Sequence, residues 1–390
     1  MQKQKSSNRR QFLKATGAAA TIGTVGLAGC LGGGGGNSGG ASGGNKTLRD
    51  QYGLQEPNSE LESTLNIFQW TDYWPSGFVK IFEDAYGVKV NVTNFASNEE
   101  MFNKIKAGGK GQFDLTFPSD YMVDIMTSQD YLEPLDLSKI PNWDNLEPRW
   151  INQAPYDPGS KRHSVPYQWG TSGVGWNTDM TPDVTADSWD VMWNEKYKGQ
   201  MTMLNDMRET IGASLKRLGY SLNTTDKAKI EEAKKELIKQ KPLLLSYDSV
   251  NMAENLQNKT ASPLHAWSGD AFSAYWALYD NGSSPIKYKV PGEGDVVWVD
   301  TCAMPKGAKN TNAAYAFINF FLNAKMGAKI SNYVYYPSPN KAAKKYIDKA
   351  ALNNPAIYPP QSVMDKLEFI RNVGDASKYY SQAWTEIKNA

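Results

Sequence analysis

The chain has 390 residues, with 42 Lys and Arg, 41 Asp and Glu, and only two His and two Cys. This near balance of charge argues against a nucleic-acid-binding protein, which would present a basic stripe. The two Cys, at positions 30 and 302, exclude a disulfide framework, and the two His exclude a His-rich metal site. We therefore expect no metal and no cofactor.

The first thirty residues are predicted to be an export signal. NRRQFLK at 8–14 looks like a twin-arginine motif, and LAGC at 27–30 resembles a lipobox in which Cys30 would be acylated. We expect residues 1–30 to form a twin-arginine lipoprotein signal and residues 31–60, rich in Gly and Ser, to form a flexible tether. The folded body would then be lipid-anchored at the outer face of the cytoplasmic membrane.

Strand and helix patterns alternate after residue 60. Apolar spacing predicts strands at 65–69, 88–95 and 114–117, with helices at 78–86 and 99–107 between them. A second unit begins after residue 177. It has predicted strands at 201–204, 264–266 and 295–297, helices at 209–218 and 226–240, and a helix at 312–323 that is apolar nearly all round. This alternation is typical of doubly wound α/β domains, and the length suits two of them.

Five of the predicted strands lead into aromatic or acidic residues. The segments that follow them are WTDY at 70–73, PSDY at 118–121, NDMRE at 205–209, WSGD at 267–270 and WVD at 298–300. In open α/β sheets, ligands bind outside the carboxyl ends of the strands, so these segments are expected to converge. Aromatic faces beside carboxylates suit a cationic, partly apolar small molecule.

Two other functions use similar side chains. Asp206 and Glu209 could be the acid and base of a carbohydrate-acting enzyme, and aromatic residues also line sugar-binding sites. Tyr333, Tyr335 and Tyr336 lie close enough in sequence to ligate ferric iron. Several acids facing one cleft favour a permanent cation over a catalytic acid and base, so we expect a binding protein and no enzyme.

Several motifs resemble the substrate-binding proteins of polyamine ABC transporters, which bind putrescine and spermidine. The resemblance runs from about residue 64 to the C-terminus. It is carried by WTDY at 70–73, PS with Tyr121 at 118–121, VPYQWG at 165–170, LGYS at 218–221, WVD at 298–300, YPSPN at 336–340 and NPAIYPP at 354–360.

Membership of this family implies a periplasmic-binding-protein-like fold of type II, in which two doubly wound α/β lobes are joined by hinge strands. The chain would cross between the lobes near Gly170 and near Trp298. Lobe 1 would comprise residues 61–169 and 299–344, and lobe 2 would comprise residues 170–298 and 345–390. Ligand would be enclosed when the lobes close.

The resemblance also implies which side chains bind the ligand between the lobes. Aromatic walls around its methylene chain would be Trp70, Tyr73, Trp267, Trp298 and Tyr336. Carboxylates that meet its ammonium groups would be Asp72, Asp206, Glu209, Asp270 and Asp300, and hydrogen bonds would come from Thr71, Ser119 and Tyr121. The implied protein is non-catalytic and delivers its ligand to the permease and ATPase subunits of an importer.

Ligand length is indicated by three positions. Asp270, which follows WSG at 267–269, resembles the acid found at this point in the putrescine branch of the family. Asp206 resembles an acid of the spermidine branch. Ile370 stands where the spermidine branch has a Gln that binds ligand. We therefore expect putrescine to be favoured, with spermidine as the second candidate.

Overall fold

The computed structural model describes residues 44–71, 73–95, 97–108, 110–152 and 154–390. The predicted signal with Cys30, and the predicted tether up to residue 43, lie outside the described residues. Asp72, one of the predicted ligand-binding acids, also lies outside them.

Strands and helices alternate along the described chain, which confirms the α/β class. The strands are β1 (Thr64–Trp70), β2 (Lys89–Phe95), β3 (Leu115–Thr116), β4 (Ser164–Asn177), β5 (Met201–Met203), β6 (Leu244–Tyr247), β7 (Leu264–Trp267), β8 (Ile286–Lys289) and β9 (Val297–Ala303). The helices are α1 (Lys46–Tyr52), α2 (Phe78–Tyr86), α3 (Asn98–Gly108), α4 (Asp120–Ser128), α5 (Pro148–Asn152), α6 (Met207–Arg217), α7 (Lys227–Gln240), α8 (Met252–Gln257), α9 (Ser268–Ala277), α10 (Thr311–Leu322), α11 (Ala324–Val334), α12 (Lys349–Leu352), α13 (Gln361–Met364) and α14 (Ser377–Asn389).

The strands form one mixed sheet in the order β2-β1-β3-β9-β4-β7-β5-β6, with β8 paired to β4. β1 runs parallel to β2 and β3, and β5 runs parallel to β6 and β7. β9 runs antiparallel to β3 and β4, and β4 runs antiparallel to β7. The sheet therefore contains two parallel groups, as the alternating pattern predicts, and β9 and β4 connect them.

β4 belongs to both parts of the sheet. It is buried along its whole length, pairs with β9 up to Thr171, and pairs with β7 from Ser172 onward. Gly170 lies opposite Trp298 in this ladder, which is where the two crossings between lobes are predicted. The lobe boundaries themselves stay a prediction.

Local sequence explains several helices. α2 buries Phe78, Phe82 and Ala85 on one face, and it ends at Gly87, whose φ of 72° is readily adopted only without a side chain. Asp226 begins α7 by accepting a hydrogen bond from the backbone N–H of Ala228. α10 is buried in all but its first two residues, as its composition predicts. Among the described residues, no helix combines the length and apolar composition needed to cross a bilayer.

One strand differs from its prediction. The sequence places a strand at 295–297, with Trp298 and Asp300 beyond its end, whereas β9 runs from Val297 to Ala303. The pairing of β9 with β4 continues through these residues, and Val299 alternates with them across the sheet. Trp298 and Asp300 are consequently presented from within a central strand, where the backbone ladder holds them in place. Cys302 is buried in the same strand, as expected for a small apolar residue.

Candidate functional site

Asp300 is the most enclosed of the predicted acids at one end of the site. Its side chain is 4% exposed, its Oδ1 accepts a 2.7 Å hydrogen bond from the hydroxyl of Ser119, and its Oδ2 accepts one from the hydroxyl of Tyr73. Burial raises the pKa of Asp300 to about 6, although the two hydrogen bonds oppose that shift. We refer to Asp300, Ser119 and Tyr73 as the Asp300 end.

Two residues that the sequence analysis missed hold this end in place. The side chain of Asn98 donates to the Ser119 hydroxyl at 3.1 Å and accepts from the Ser119 N–H at 3.0 Å. Asp120 accepts from the backbone N–H of Val299 at 3.0 Å and from that of Tyr121 at 2.6 Å, and burial raises its pKa to about 8. A buried Asn at the start of α3 gave no motif that could have identified it.

Aromatic rings lie beside Asp300. The ring centroids of Tyr73 and Tyr336 are 6.1 Å apart, and Trp298 meets Tyr336 edge-on at 4.8 Å. Two glycines allow this packing, because a Cβ at Gly170 would overlap the Trp298 ring and a Cβ at Gly269 would overlap the Tyr336 ring. Gly170 and Gly269 both lie inside the motifs that the sequence analysis singled out.

Asp270 is connected to this aromatic group. It lies in the first turn of α9, and the Tyr336 hydroxyl donates to its Oδ2 at 3.4 Å. Burial, followed by the charges of Asp270 and Asp300, raises the pKa of Tyr336 well above its usual range. Tyr336 is therefore within the electrostatic reach of both acids, and its hydroxyl stays protonated.

A second end of the site contains Glu209 and Trp267. Glu209 is buried in the first turn of α6, and its Oε1 accepts a 3.2 Å hydrogen bond from the indole N–H of Trp267. Burial, followed by the charges of Asp295 and Asp206, raises the pKa of Glu209 well above its usual range. We refer to Glu209, Trp267, His265 and Asp295 as the Glu209 end.

Asp206 serves as the N-cap of α6. Its Oδ1 accepts from the backbone N–H groups of Arg208 at 2.9 Å and Glu209 at 3.0 Å. Tyr121 lies near it from the other side, with its hydroxyl bonded to Glu99 at 3.1 Å. Burial raises the pKa of Tyr121, and the charges of Glu99 and Asp206 add to the shift. Glu99 is thus a further acid beside the site; an acid in the first turn of a predicted helix was its only sequence signal.

Two predicted residues are less involved. Thr71 is exposed, and its hydroxyl donates to the backbone oxygen of Phe95 at 3.4 Å. Trp70 packs on Phe95 with centroids 4.5 Å apart, and lies 6.5 Å from Tyr73. The other described residues of the predicted site belong to the two ends or contact a residue named with them. They are Tyr73, Ser119, Tyr121, Asp206, Glu209, Trp267, Asp270, Trp298, Asp300 and Tyr336.

The chain was compared with known proteins. It is 34% identical over 336 residues to the spermidine/putrescine-binding periplasmic protein of Escherichia coli, covering 86% of this chain and 94% of that protein. It is 33% identical over 347 residues to the putrescine-binding periplasmic protein of the same organism, covering 84% and 92%.

A solved structure of the spermidine/putrescine ABC transporter substrate-binding protein from Streptococcus pneumoniae is similar, with a TM-score of 0.74, 33% identity, and coverage of 84% of this chain and 99% of that one. The sequence pattern of the bacterial extracellular solute-binding protein family matches residues 77–359. Fold, sequence and site motifs agree, and the chain belongs to this family of solute-binding proteins, in the group of polyamine ABC transporter substrate-binding proteins.

Proposed function

We propose that this protein captures a polyamine outside the cytoplasm, with putrescine favoured over spermidine, and delivers it to an ABC importer. The observation that carries the proposal is the pairing of a buried carboxylate with an aromatic side chain at each end, Asp300 with Tyr73 and Glu209 with Trp267. The named ligands of the two Escherichia coli relatives are of the same kind.

An alkyl diammonium matches this arrangement chemically. Its two charges are separated by apolar carbon, so aromatic faces can cover the carbon and attract the cations, while carboxylates replace the lost water. The Tyr336 hydroxyl bonds Asp270 and feels the charge of Asp300, and these two acids would receive one ammonium group. Glu209 and Asp206, adjoining Trp267, would receive the other.

The enzyme alternative fits the geometry less well. A glycosidase needs one carboxyl group free to donate a proton and a second free to attack or to activate water. The Oδ1 atom of Asp206 is committed to the first turn of α6, and Glu209 adjoins it across the same turn. Both groups therefore lie on one side of the site.

The ferric-iron alternative requires converging tyrosines. Tyr335, which ends α11, packs its ring against Trp276 with centroids 6.2 Å apart, whereas Tyr336 packs against Trp298. The two rings have different neighbours, which argues against a shared metal ion.

Ile370 supports the shorter ligand. It is buried in a cluster with Leu222 and Val296, against which Tyr121 and Trp298 pack. An apolar side chain at this point cannot accept a hydrogen bond from the additional ammonium group of spermidine. Ile370→Gln should therefore raise the affinity for spermidine relative to putrescine.

Lobe closure would transmit the presence of ligand to the importer. Its structural support is β4, which changes partner from β9 to β7 between Thr171 and Ser172. Small-angle scattering should show a smaller radius of gyration with saturating putrescine, and an unchanged radius would contradict closure.

The lipid anchor at Cys30 and the twin-arginine route also belong to the proposal, and their support is the order of motifs in the first thirty residues. Cys30→Ser should move the protein from the membrane to the soluble fraction without changing its affinity. Retention of the variant on membranes after a carbonate wash would contradict a lipid anchor.

The ligand assignment is tested by a thermal-shift panel with putrescine, spermidine, spermine, maltose and ferric citrate, followed by calorimetry. Ligands that bind the native state raise the melting temperature by mass action. We expect the polyamines alone to do so, and putrescine to bind more tightly than spermidine. Stabilisation by maltose or ferric citrate without a polyamine effect would overturn the proposal.

A further inference from the structure

Three ionisable side chains meet in the core behind Glu209. Oε2 of Glu209 lies 3.9 Å from Nε2 of His265, and that nitrogen lies 3.7 Å from Oδ2 of Asp295. One ligand atom from each side chain lies within 4.8 Å of the others, and all three residues are buried. The side chains of His265 and Asp295 are fully enclosed, at 0% exposure.

These groups have few protein partners. Among the described residues, neither nitrogen of His265, neither carboxylate oxygen of Asp295 and not Oε2 of Glu209 makes a hydrogen bond of normal geometry. The Val296 N–H and the charge of Lys216 act on Asp295, and Ser172 acts on Glu209. A buried carboxylate without a donor or a cation is costly, and two such carboxylates in one place also repel each other. The arrangement therefore needs a bound cation or bound protons.

We propose that Glu209, His265 and Asp295 bind one zinc ion in the core of the protein. Two carboxylates and a neutral imidazole would give a site of zero net charge with a divalent cation. A nitrogen ligand distinguishes this set from the all-oxygen sites of calcium and magnesium.

Two of the three separations approach those of ligands on a shared ion, and the third pair lies within 4.8 Å. Separations of 3.7 and 3.9 Å are too long for hydrogen bonds. They are slightly greater than the roughly 3.4 Å between two ligands of a tetrahedral zinc ion with bonds of about 2.0–2.2 Å. Trp189 closes the site from one side, with its ring 5.0 Å from that of His265.

This site goes beyond polyamine binding. Oε1 of Glu209 is bonded to Trp267 at the ligand site, whereas Oε2 turns toward His265. Glu209 would thereby connect the ion to the ligand site, as groups around metal sites commonly do. Zinc content can be measured without any polyamine, so this inference and the proposed function can fail separately.

The chain offers a matched control in its other histidine. His163 has its Nδ1 at 3.2 Å from Asp157, far from the cluster in sequence and with a partner of its own. The purified full chain would be stripped with a chelator, dialysed with equimolar zinc sulfate and analysed by mass spectrometry for metals. Wild type and His163→Gln should retain about one zinc per chain, and His265→Gln and Asp295→Asn less than about a tenth of that.

Circular dichroism would show whether the variants are folded, and cobalt absorption spectra of the wild type would report tetrahedral coordination independently of any variant. Zinc should also raise the melting temperature of the wild type and of His163→Gln. A wild type that retains no zinc, or a folded His265→Gln that retains as much as wild type, would overturn the proposal. The cluster would then be neutralised by protons alone.

Discussion

The two ends of the site are both buried and acidic, yet their carboxylates have different partners. At the Asp300 end, each oxygen of Asp300 accepts a hydroxyl hydrogen bond, from Ser119 and from Tyr73, and the pKa rises only to about 6. At the Glu209 end, the pKa of Glu209 is raised well above its usual range, with burial as the largest cause. Both carboxyl groups have donors, so the larger rise at Glu209 comes from the neighbouring charges of Asp295 and Asp206 in addition to burial.

This difference assigns different tasks to the ends. A pKa of about 6 leaves Asp300 ionised at neutral pH in the empty protein, as the proposed contact with an ammonium group requires. Oε1 of Glu209 accepts a hydrogen bond from Trp267 and Ser172 also lowers the pKa of Glu209, but Asp295 and Asp206 raise it, and Oε2 lies 3.9 Å from His265. The charge of Glu209 thus depends on whether a cation or a proton is bound beside it.

The largest expected effect is at the Asp300 end. Asp300→Asn keeps the size of the side chain but removes a charge-assisted hydrogen bond, worth about 1.5–3 kcal/mol. Calorimetry should show the affinity for putrescine and for spermidine falling about ten- to hundredfold. Asp375→Asn, a change of the same kind at an exposed acid, is the control and should bind normally. Unchanged affinity in Asp300→Asn would refute its role with ammonium.

A somewhat smaller effect is expected at the Glu209 end. Trp267→Ala removes an aromatic face that covers carbon and attracts a cation, and we expect a loss of about three- to thirtyfold in affinity. Because ring contacts are screened less than charge pairs, this loss should change less with salt than the loss in Asp300→Asn. Calorimetry of both variants at low and high salt compares the two. Equal salt dependence would contradict this division of tasks.

The third expected effect concerns pH and is small at pH 6 and above. The pKa of Asp300 is raised from 3.8 to about 6, and putrescine stays fully protonated below pH 8, so a cation binds the ionised form of this carboxyl. Affinity should be full well above pH 6, about twofold lower at pH 6, and about tenfold lower at pH 5. Titrations between pH 5 and pH 8 measure this profile. The affinity of Asp300→Asn should lack this dependence on pH. A pH profile identical to that of the wild type would assign the titration to another group.

The same shift has a stability consequence of the opposite sign. The folded protein binds the Asp300 proton more tightly than the unfolded chain does, so this group stabilises the fold most below pH 3.8. Its contribution to the free energy of unfolding is lost as the pH rises through about 6. Under the proposed function, the empty protein gives up stability at neutral pH to hold an ionised Asp300 for its ligand.

Sequence patterns predicted much of the fold. Strand β1, helix α2 with its glycine end, the N-cap of α7 and the buried helix α10 all follow from local spacing and capping, which act within a few residues. The motifs containing Trp267, Asp270 and Trp298 were recognised for the same reason. Each motif is a short run of residues that can be recognised without knowing its tertiary contacts.

Tertiary structure alone decided the rest. The pairing of β9 with β4 places Asp300 within a central strand, and only then do Ser119 and Tyr73 reach its oxygens. Asn98, Glu99 and Asp120 gained their roles in the same way. Asp295, His265 and Glu209 are separated by 30 and 56 residues along the chain, and no local pattern connects them. Their ionisation depends on burial and on donors, which are properties of the packed sheet and helices rather than of any segment.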